Sequence, residues 1–502
     1  MTYTMIVILF IVAYTIFAII AGLGGFSKET VSSSRGYFIG GGVNYFVLFF
    51  TMAASWFSTW VYLGAVGSAY SNGIAFTASM TWMFLTVGVM GYWGPRIYKV
   101  GKKKQYVTTS DFICGHYNEN KFLRVFLAVI MLIFSIPYLT GQTTGVGLIL
   151  NTISNGAIPY WVGVLYTAVV AGIVVYFGGF KSGAWVNVMQ GILFATVLWG
   201  AVIGMIWGGD IGGFDVMFQR LVETSNTFVY NMLPTGTWGV NTYLSFFILQ
   251  GLAGGLAPWA FQRLYAAKNE KALVTMSRTL TFFYAFVLNF AACMCGWAGR
   301  LINPGLSSGE AENLLILTFA KISPVFNVVI MIGIMAAGMS TLSSILLSSS
   351  ATIAMDLIKP FKPNMDDTKI RNWGRRLVFI LLIFAIVTSL LRINSLLVLV
   401  NLACGGFVQI VPAMVGIFYW RRATTKGVIS GLAASMVVIV LTHFVWPNPL
   451  NFTAGMWGLL ANVIVFVLVS LATYKNSPAR AMYRKDGLLQ NKRTAEISGQ
   501  TA

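Results

Sequence analysis

Ala53-Ala54-Ser55-Trp56-Phe57-Ser58-Thr59 and Gly251-Leu252-Ala253-Gly254-Gly255-Leu256-Ala257-Pro258 each interrupt a long apolar run. Glycine and proline in a helix interior cost about 1 and 3 kcal/mol. In lipid, every backbone group freed by a break must find a partner. Such stretches have two explanations. One is close helix packing, which Gly251 and Gly255 at i, i+4 permit. The other is an unwound segment lining a site, with Gly251, Gly254, Gly255 and Pro258 as its hinge. The order of the runs favours the second. A spanning helix takes about 20 mostly apolar residues. By that measure the chain holds thirteen spans, at residues 4–25, 43–71, 74–97, 122–150, 159–178, 184–207, 240–266, 273–299, 323–358, 376–391, 395–420, 426–446 and 455–474. The interrupted spans are the second and the seventh. Five crossings invert orientation, so one points outward and the other inward. Paired interruptions at matching places of two inverted halves point to a transporter's midplane site.

Composition agrees with an all-α membrane protein. Of 502 residues, 57% are hydrophobic and 9% charged, against roughly 25% charged in soluble domains. The mean hydropathy is +0.76. The first span lacks a basic n-region and is too long for a signal peptide's apolar core, so it reads as a retained helix. The expected organisation is an extra N-terminal helix (1–25), a first five-helix repeat (43–207), an inverted second repeat (240–420), two further helices (426–474) and a basic tail (475–502).

Thirty-three Lys and Arg against 14 Asp and Glu give a net +19. With the N-terminus outside and the C-terminus in the cytoplasm, all the basic residues except Arg220, Arg300, Lys321 and Arg392 face inward. This is the positive-inside pattern. It accounts for the charge without nucleic acid and predicts a multi-pass protein of the bacterial inner membrane. Arg263 to Arg278 are counted among these cytoplasmic anchors.

The four cysteines, Cys114, Cys293, Cys295 and Cys404, fit neither a zinc ribbon nor a disulfide framework and read as small core residues. No carboxylate lies near the middle of a span, and His116 and His443 fall toward span ends or loops. Proton-coupled transporters usually keep Asp, Glu or His at mid-membrane. A cation held here must therefore be held by carbonyls and hydroxyls. Span nine offers them: Ala337, Ser340, Thr341, Ser344 and Ser348 recur at helical spacing down one face. Taken alone, such a stripe reads more readily as helix–helix glue, and it is the free carbonyls of an interrupted span opposite that favour an ion site.

At these residues the chain resembles the sodium/solute symporter family, with its LeuT-type five-plus-five inverted repeat. The resemblance covers roughly residues 5–475. It is carried by Tyr37-Phe38-Ile39-Gly40-Gly41, by Ala53–Thr59, and by Gly178-Gly179-Phe180 with Trp185 and Gln190. Two more specific motifs are Gln262-Arg263-Leu264-Tyr265-Ala266-Ala267-Lys268 and Met339-Ser340-Thr341-Leu342-Ser343. Trp420-Arg421-Arg422-Ala423-Thr424-Thr425-Lys426-Gly427 looks most like the pantothenate and monocarboxylate branch, with the proline branch next.

The resemblance implies a sodium-coupled symporter that imports a small organic solute by alternating access. The solute expected is a monocarboxylate or pantothenate-like acid, with a proline-like or other neutral solute as the alternative. The co-transported sodium would be held by the carbonyls of Ala54, Phe57 and Ala337 and the hydroxyls of Ser340 and Thr341. Relatives with a further sodium site have an Asp where this chain has Asn187, acting with serines at Ser343 and Ser344. Proline-type relatives have an Asp where this chain has Trp56. One coupled sodium is the expectation. The implied solute pocket offers Ser58, Thr59, Trp60, Gln142, Gln250, Asn401 and Gln409, with no buried Arg or Lys to meet a carboxylate.

Other classes fit less well. A membrane sensor needs a signalling domain, and 28 residues after Tyr474 are too few. A channel would show a charged or carbonyl-rich filter. An enzyme would need a nucleophile–base or metal cluster, and the scattered histidines and cysteines supply none.

Overall fold

The apolar runs fold as helices in a computed structural model that describes residues 3–28, 32–224, 238–391 and 396–476. Arg392 and the tail from residue 477 lie outside the described residues. Among those described there is no strand, only one parallel bridge between Val43 and Ala267. Among the described residues, eleven helical stretches are long and apolar enough to cross a membrane, and this count does not establish the thirteen spans expected. Two of them are 44 and 49 residues long, Val61–Lys104 and Tyr160–Gly208.

Both long helices double back at a glycine. Gly73 (φ 56°, ψ −136°) and Gly179 (φ 56°, ψ −144°) adopt a conformation open to glycine and strained for other residues. Across Gly73, the rings of Trp60 and Phe76 lie 6.4 Å apart, where a straight helix would separate them by about 24 Å. Across Gly179, Tyr166 bonds Thr15 and Gln190 bonds Tyr14, both at 2.6 Å. Two adjacent residues of span one thus reach both arms, which a straight helix would hold about 36 Å apart at those positions.

Span nine, Pro324–Thr352, forms the centre. Ser323 caps its first turn and Pro324 occupies the first helical position, where a missing N–H costs nothing. Its most apolar stretch is 83% buried, against 17% for Tyr3–Gly25 and 28% and 33% for the last two helices. Those three outer helices therefore present their apolar faces to lipid. Span one carries exposed Leu9, Ile16, Phe17 and Ile20 on its open side.

Segments assigned to the cytoplasm gather at one end. Ser34 N–H bonds Asp367 Oδ2 at 2.7 Å, Tyr265 OH bonds Thr108 O at 3.1 Å, and Lys99 pairs with Glu270 at 2.9 Å. Arg124 bridges Asp111 and the fully buried Asp356. Segments assigned outside meet at the other end, where Tyr70 OH bonds Asn303 O and Asn241 bonds Leu450 O, each at 2.8 Å. All four cysteines are buried and free.

Candidate ion and solute site

Both interrupted spans are broken where their composition says. Span two runs as helix from Tyr45 to Trp56, capped by Asn44, and turns extended at Phe57 (φ −81°, ψ 94°). Helix resumes at Thr59, followed by a π-helical turn, Val61–Ala65. Such turns are frequent at functional sites. Span seven runs from Val240 to Gly254, opens over Gly255-Leu256-Ala257, and restarts with Pro258 in the first turn of Pro258–Ala266. The hinge glycines also pack closely. A Cβ on Gly251 would meet Leu85 at 2.8 Å and Trp82 O at 2.9 Å, and one on Gly254 would collide with Thr86. Here close packing and unwinding coexist, and the glycines serve both.

The break in span two frees carbonyls that point at span nine. Ser340 Oγ donates to Ala54 O and to Ala337 O, each at 2.9 Å. Thr341 Oγ1 lies 3.2 Å from Ala54 O and 3.3 Å from Phe57 O. All five residues expected to supply oxygens thus meet at one point, each no more than 2% exposed. Two hydroxyls and three carbonyls, all neutral, can surround a small dehydrated cation. The hydroxyls need only turn their protons away and offer lone pairs.

A second polar cluster adjoins the first. Ser344 Oγ donates to Ser340 O at 2.8 Å, and Asn187 Nδ2 reaches Thr51 Oγ1 at 3.0 Å and Ser344 Oγ at 3.4 Å. Ser343 instead turns back to the carbonyls of its own helix, Met339 and Ser340. Arg263 is also here, 3% exposed. The sequence reading of Arg263 as a cytoplasmic anchor is corrected: it is buried inside the protein. Its position within an apolar run was the available signal, because intramembrane charge is rarely incidental.

Beside the break lies a small cavity of about 20 Å³, room for about one water. It is lined by Trp56, Trp60, Trp82, Tyr138, Tyr284 and Gln250, with Phe57, Asn289 and apolar neighbours. No lining residue is charged. The indole nitrogens of Trp56, Trp60 and Trp82 are buried without a hydrogen-bond partner. Trp60 also packs on Phe246, which meets Trp238. Trp238 lines a larger vestibule of about 530 Å³ at the end assigned to the outside from sequence, with Ser68, Asn72, Asn401, Asn448 and Glu312. Among the described residues Glu312 is its one charged lining residue, and burial raises its carboxyl above the usual value, opposed by a bond from the Leu396 backbone.

The solute residues expected from sequence separate into two groups. Trp60 and Gln250 line the cavity, and Asn401 lines the vestibule and accepts from Gln250 at 3.2 Å. Thr59 and Gln142 are partners of each other: Gln142 Oε1 accepts from both the backbone N–H and the hydroxyl of Thr59 at 3.2 Å. Ser58 accepts from Trp60 N–H at 3.3 Å. Gln409 donates to Gly405 O and Gly455 O and accepts from Asn462, tying span eleven to the last helix. Ser58, Thr59, Gln142 and Gln409 do not line the cavity. Sequence reasoning missed Trp82, Tyr138, Tyr284 and Asn289, and noted Trp56 only for the Asp it replaces. Polar tips inside apolar spans were the available signal for Tyr138, Tyr284 and Asn289.

Comparison with known proteins fits this geometry. A solved Na+-coupled sialic acid symporter, in a substrate-bound outward-open state, superposes with a TM-score of 0.78 at 16% identity, covering 94% of this chain and 98% of that one. The sodium/pantothenate symporter of Escherichia coli (strain K12) is 26% identical over 92% of this chain and 95% of its own length. The sodium/proline symporter of the same organism is also 26% identical, over 92% of each chain. Equal identity to the two does not choose between the branches. The model of the sodium:solute symporter family matches residues 37–435, and the chain belongs to that family.

Proposed function

We propose that the protein imports a small carboxylate-bearing solute together with one sodium ion, by alternating access. One observation carries the reading: the five oxygens of Ala54, Phe57, Ala337, Ser340 and Thr341 converge where span two is broken. A cation there shares Phe57 with the cavity next to it, so ion and solute are bound by one broken segment. Filling one site orders the backbone that forms the other, and this ordering is the source of coupling.

The solute contacts are Trp56, Trp60, Trp82, Tyr138, Gln250 and Tyr284. Three unpartnered indole donors suit an anionic oxygen better than a cation, and no acidic side chain awaits an ammonium. This favours a monocarboxylate or pantothenate-like acid. A second reading, a proline-like zwitterion, is favoured by the aromatic faces, which attract a positive nitrogen.

The topology proposed is thirteen crossings in the bacterial inner membrane, N-terminus outside and C-terminus in the cytoplasm. The reversals at Gly73 and Gly179 and the gathering of basic segments at one end support it. Residues 43–207 and 240–420 form the two inverted repeats. A test is a thermal-shift panel on the purified protein, with proline, pantothenate, and lactate- and acetate-sized acids, each in sodium and in potassium. A sodium-dependent shift with an acid supports the first reading, and one with proline alone supports the second. Shifts that ignore the cation would refute coupling at this site.

A further inference from the structure

Arg375 and Arg376 sit on Asp367–Leu390, the helix of span ten, where its outer face changes character. Beyond them Phe379, Ile380, Ile383, Phe384 and Val387 are all exposed. Arg376 is itself exposed and precedes Ile380 and Ile383 at i+4 and i+7, so it ends the same lipid-facing stripe. One turn back lies exposed Trp373. Tryptophan is enriched at the membrane–water interface, which places the arginine pair at the level of lipid headgroups.

Arg375 is held in place there rather than left to snorkel. Gly374 lets the helix lie against Phe38, with whose ring a Cβ would collide. The guanidinium carbon then stands 5.3 Å from the centre of the Tyr37 ring and 5.7 Å from that of Tyr176. Tyr176 in turn packs on Phe379, ring centres 5.1 Å apart. Nη2 donates to Phe177 O at 3.3 Å, and Nε is buried without a partner. A guanidinium carries five N–H donors, so donors remain beyond the one used here. No ion pair among the described residues includes Arg375 or Arg376. The acids that begin this helix are engaged elsewhere, Asp367 by Ser34 N–H at 2.7 Å and Asp366 by Thr368 N–H at 3.1 Å. They lie about 12 Å or more back along the axis.

We propose that Arg375 and Arg376 bind the phosphate of an anionic phospholipid whose acyl chains lie along the stripe from Ile380 to Val387. Arginine's planar fork matches phosphate oxygens. The apolar stripe begins where the arginines end, which suits a molecule with a phosphate at the head of a hydrocarbon chain. A zwitterionic lipid has the same phosphate but brings its own cation, so the unneutralised pair favours an anionic headgroup. Such a lipid ties span ten to the chain reversal at Gly179, because Arg375 already holds Phe177 O, two residues before it. The site is independent of the sodium reading.

The test is native mass spectrometry of the delipidated full chain in detergent, titrated with phosphatidylglycerol or with phosphatidylcholine of the same acyl chains. The wild type should take the first phosphatidylglycerol about tenfold more tightly than phosphatidylcholine. Arg375→Gln/Arg376→Gln should bring the two lipids within about twofold of each other. Lys103→Gln/Lys104→Gln removes the same charge from exposed residues elsewhere at the end assigned to the cytoplasm, and should keep the wild-type preference. Arg376→Gln alone changes an exposed residue and should lower the preference about threefold; it carries the test if the pair does not fold. Glycerol phosphate at millimolar concentration should leave the bound lipid in place. Displacement by glycerol phosphate would mean that the arginines take a free phosphate, and would overturn the lipid assignment. Unchanged preference in the folded arginine variants would overturn the site, as would an equal loss in the lysine pair, which would reduce it to a diffuse field.

Discussion

Ser340→Ala removes the hydroxyl that bridges the two interacting elements of the proposed sodium site. Ser340 Oγ sits 2.9 Å from both Ala54 O and Ala337 O, one on each helix. Alanine is the best helix former, and Ser340 is fully buried in the middle of Pro324–Thr352, so the helix itself should persist. The cation loses one of five oxygens. An unmet buried polar partner costs about 1–3 kcal/mol, which corresponds to roughly fivefold to 150-fold weaker sodium binding. The central expectation is about thirtyfold. Thr341→Ala should act alike, because Thr341 Oγ1 faces both Ala54 O and Phe57 O. Thr341→Ser keeps the hydroxyl and should stay within about threefold of wild type. Ser348 lies on the same stripe but bonds only its own helix, at Ile345 O, so Ser348→Ala should leave sodium binding unchanged. The assay is a sodium titration followed by tryptophan fluorescence, for which Trp56 beside the break is a natural reporter. Wild-type sodium affinity in both Ser340→Ala and Thr341→Ala would refute the site.

Other expectations follow from the same geometry. Gly179→Ala places a Cβ at φ 56° against Tyr37 O, and should lower the thermal unfolding midpoint by several degrees. Gly183→Ala, with nothing within 4 Å, should not. Thr59→Val removes the hydroxyl's bonds to Gln142 Oε1 and Gly141 O, keeping the backbone N–H bond to Gln142, and should destabilise the protein, while solute affinity in the folded fraction changes less than twofold. Trp82→Phe removes an unpartnered indole donor from the cavity and should raise the half-saturating solute concentration about threefold to tenfold, with sodium binding intact. One sodium with a zwitterion moves one net charge, and the membrane potential then contributes about 2.3 kcal/mol per 100 mV. One sodium with a monocarboxylate moves none, so current in proteoliposomes separates the two solute classes.

The cluster of oxygens proposed to hold sodium was more legible in the sequence than the lining of the proposed solute cavity, for a physical reason. Carbonyl ligands need only a break in a helix, and breaks announce themselves as Gly255 and Pro258 or as the small residues around Ala54. The hydroxyls of Ser340 and Thr341 recur at helical period, so their face could be read off. The pocket is different: whether a buried glutamine faces a cavity or a neighbouring helix depends on tertiary packing. Gln250 faces the cavity, whereas Gln142 and Gln409 face Thr59 and Asn462. The aromatic lining was hidden because Trp, Tyr and Phe are common throughout an apolar chain. The hydropathy gaps after residues 71 and 178 fall at Gly73 and Gly179, where the long helices reverse without a loop because glycine can adopt the conformation this needs. Arg263 was misread because a basic residue near a span end usually serves as an anchor, and only its hydrogen bonds to Thr51, Trp259 and Ser344 show otherwise.

Sodium-driven uptake in proteoliposomes tests the central claim most directly. An inward sodium gradient, with the potential clamped and a protonophore present, should accumulate the carboxylate-bearing solute found by the thermal-shift panel. The empty midplane motivates the protonophore arm: no Asp, Glu or His lies mid-span to carry a proton. Replacing sodium by potassium should abolish accumulation, and Ser340→Ala should raise the sodium requirement about thirtyfold, within the roughly fivefold to 150-fold range. Uptake that needs a pH gradient and ignores sodium would contradict the account.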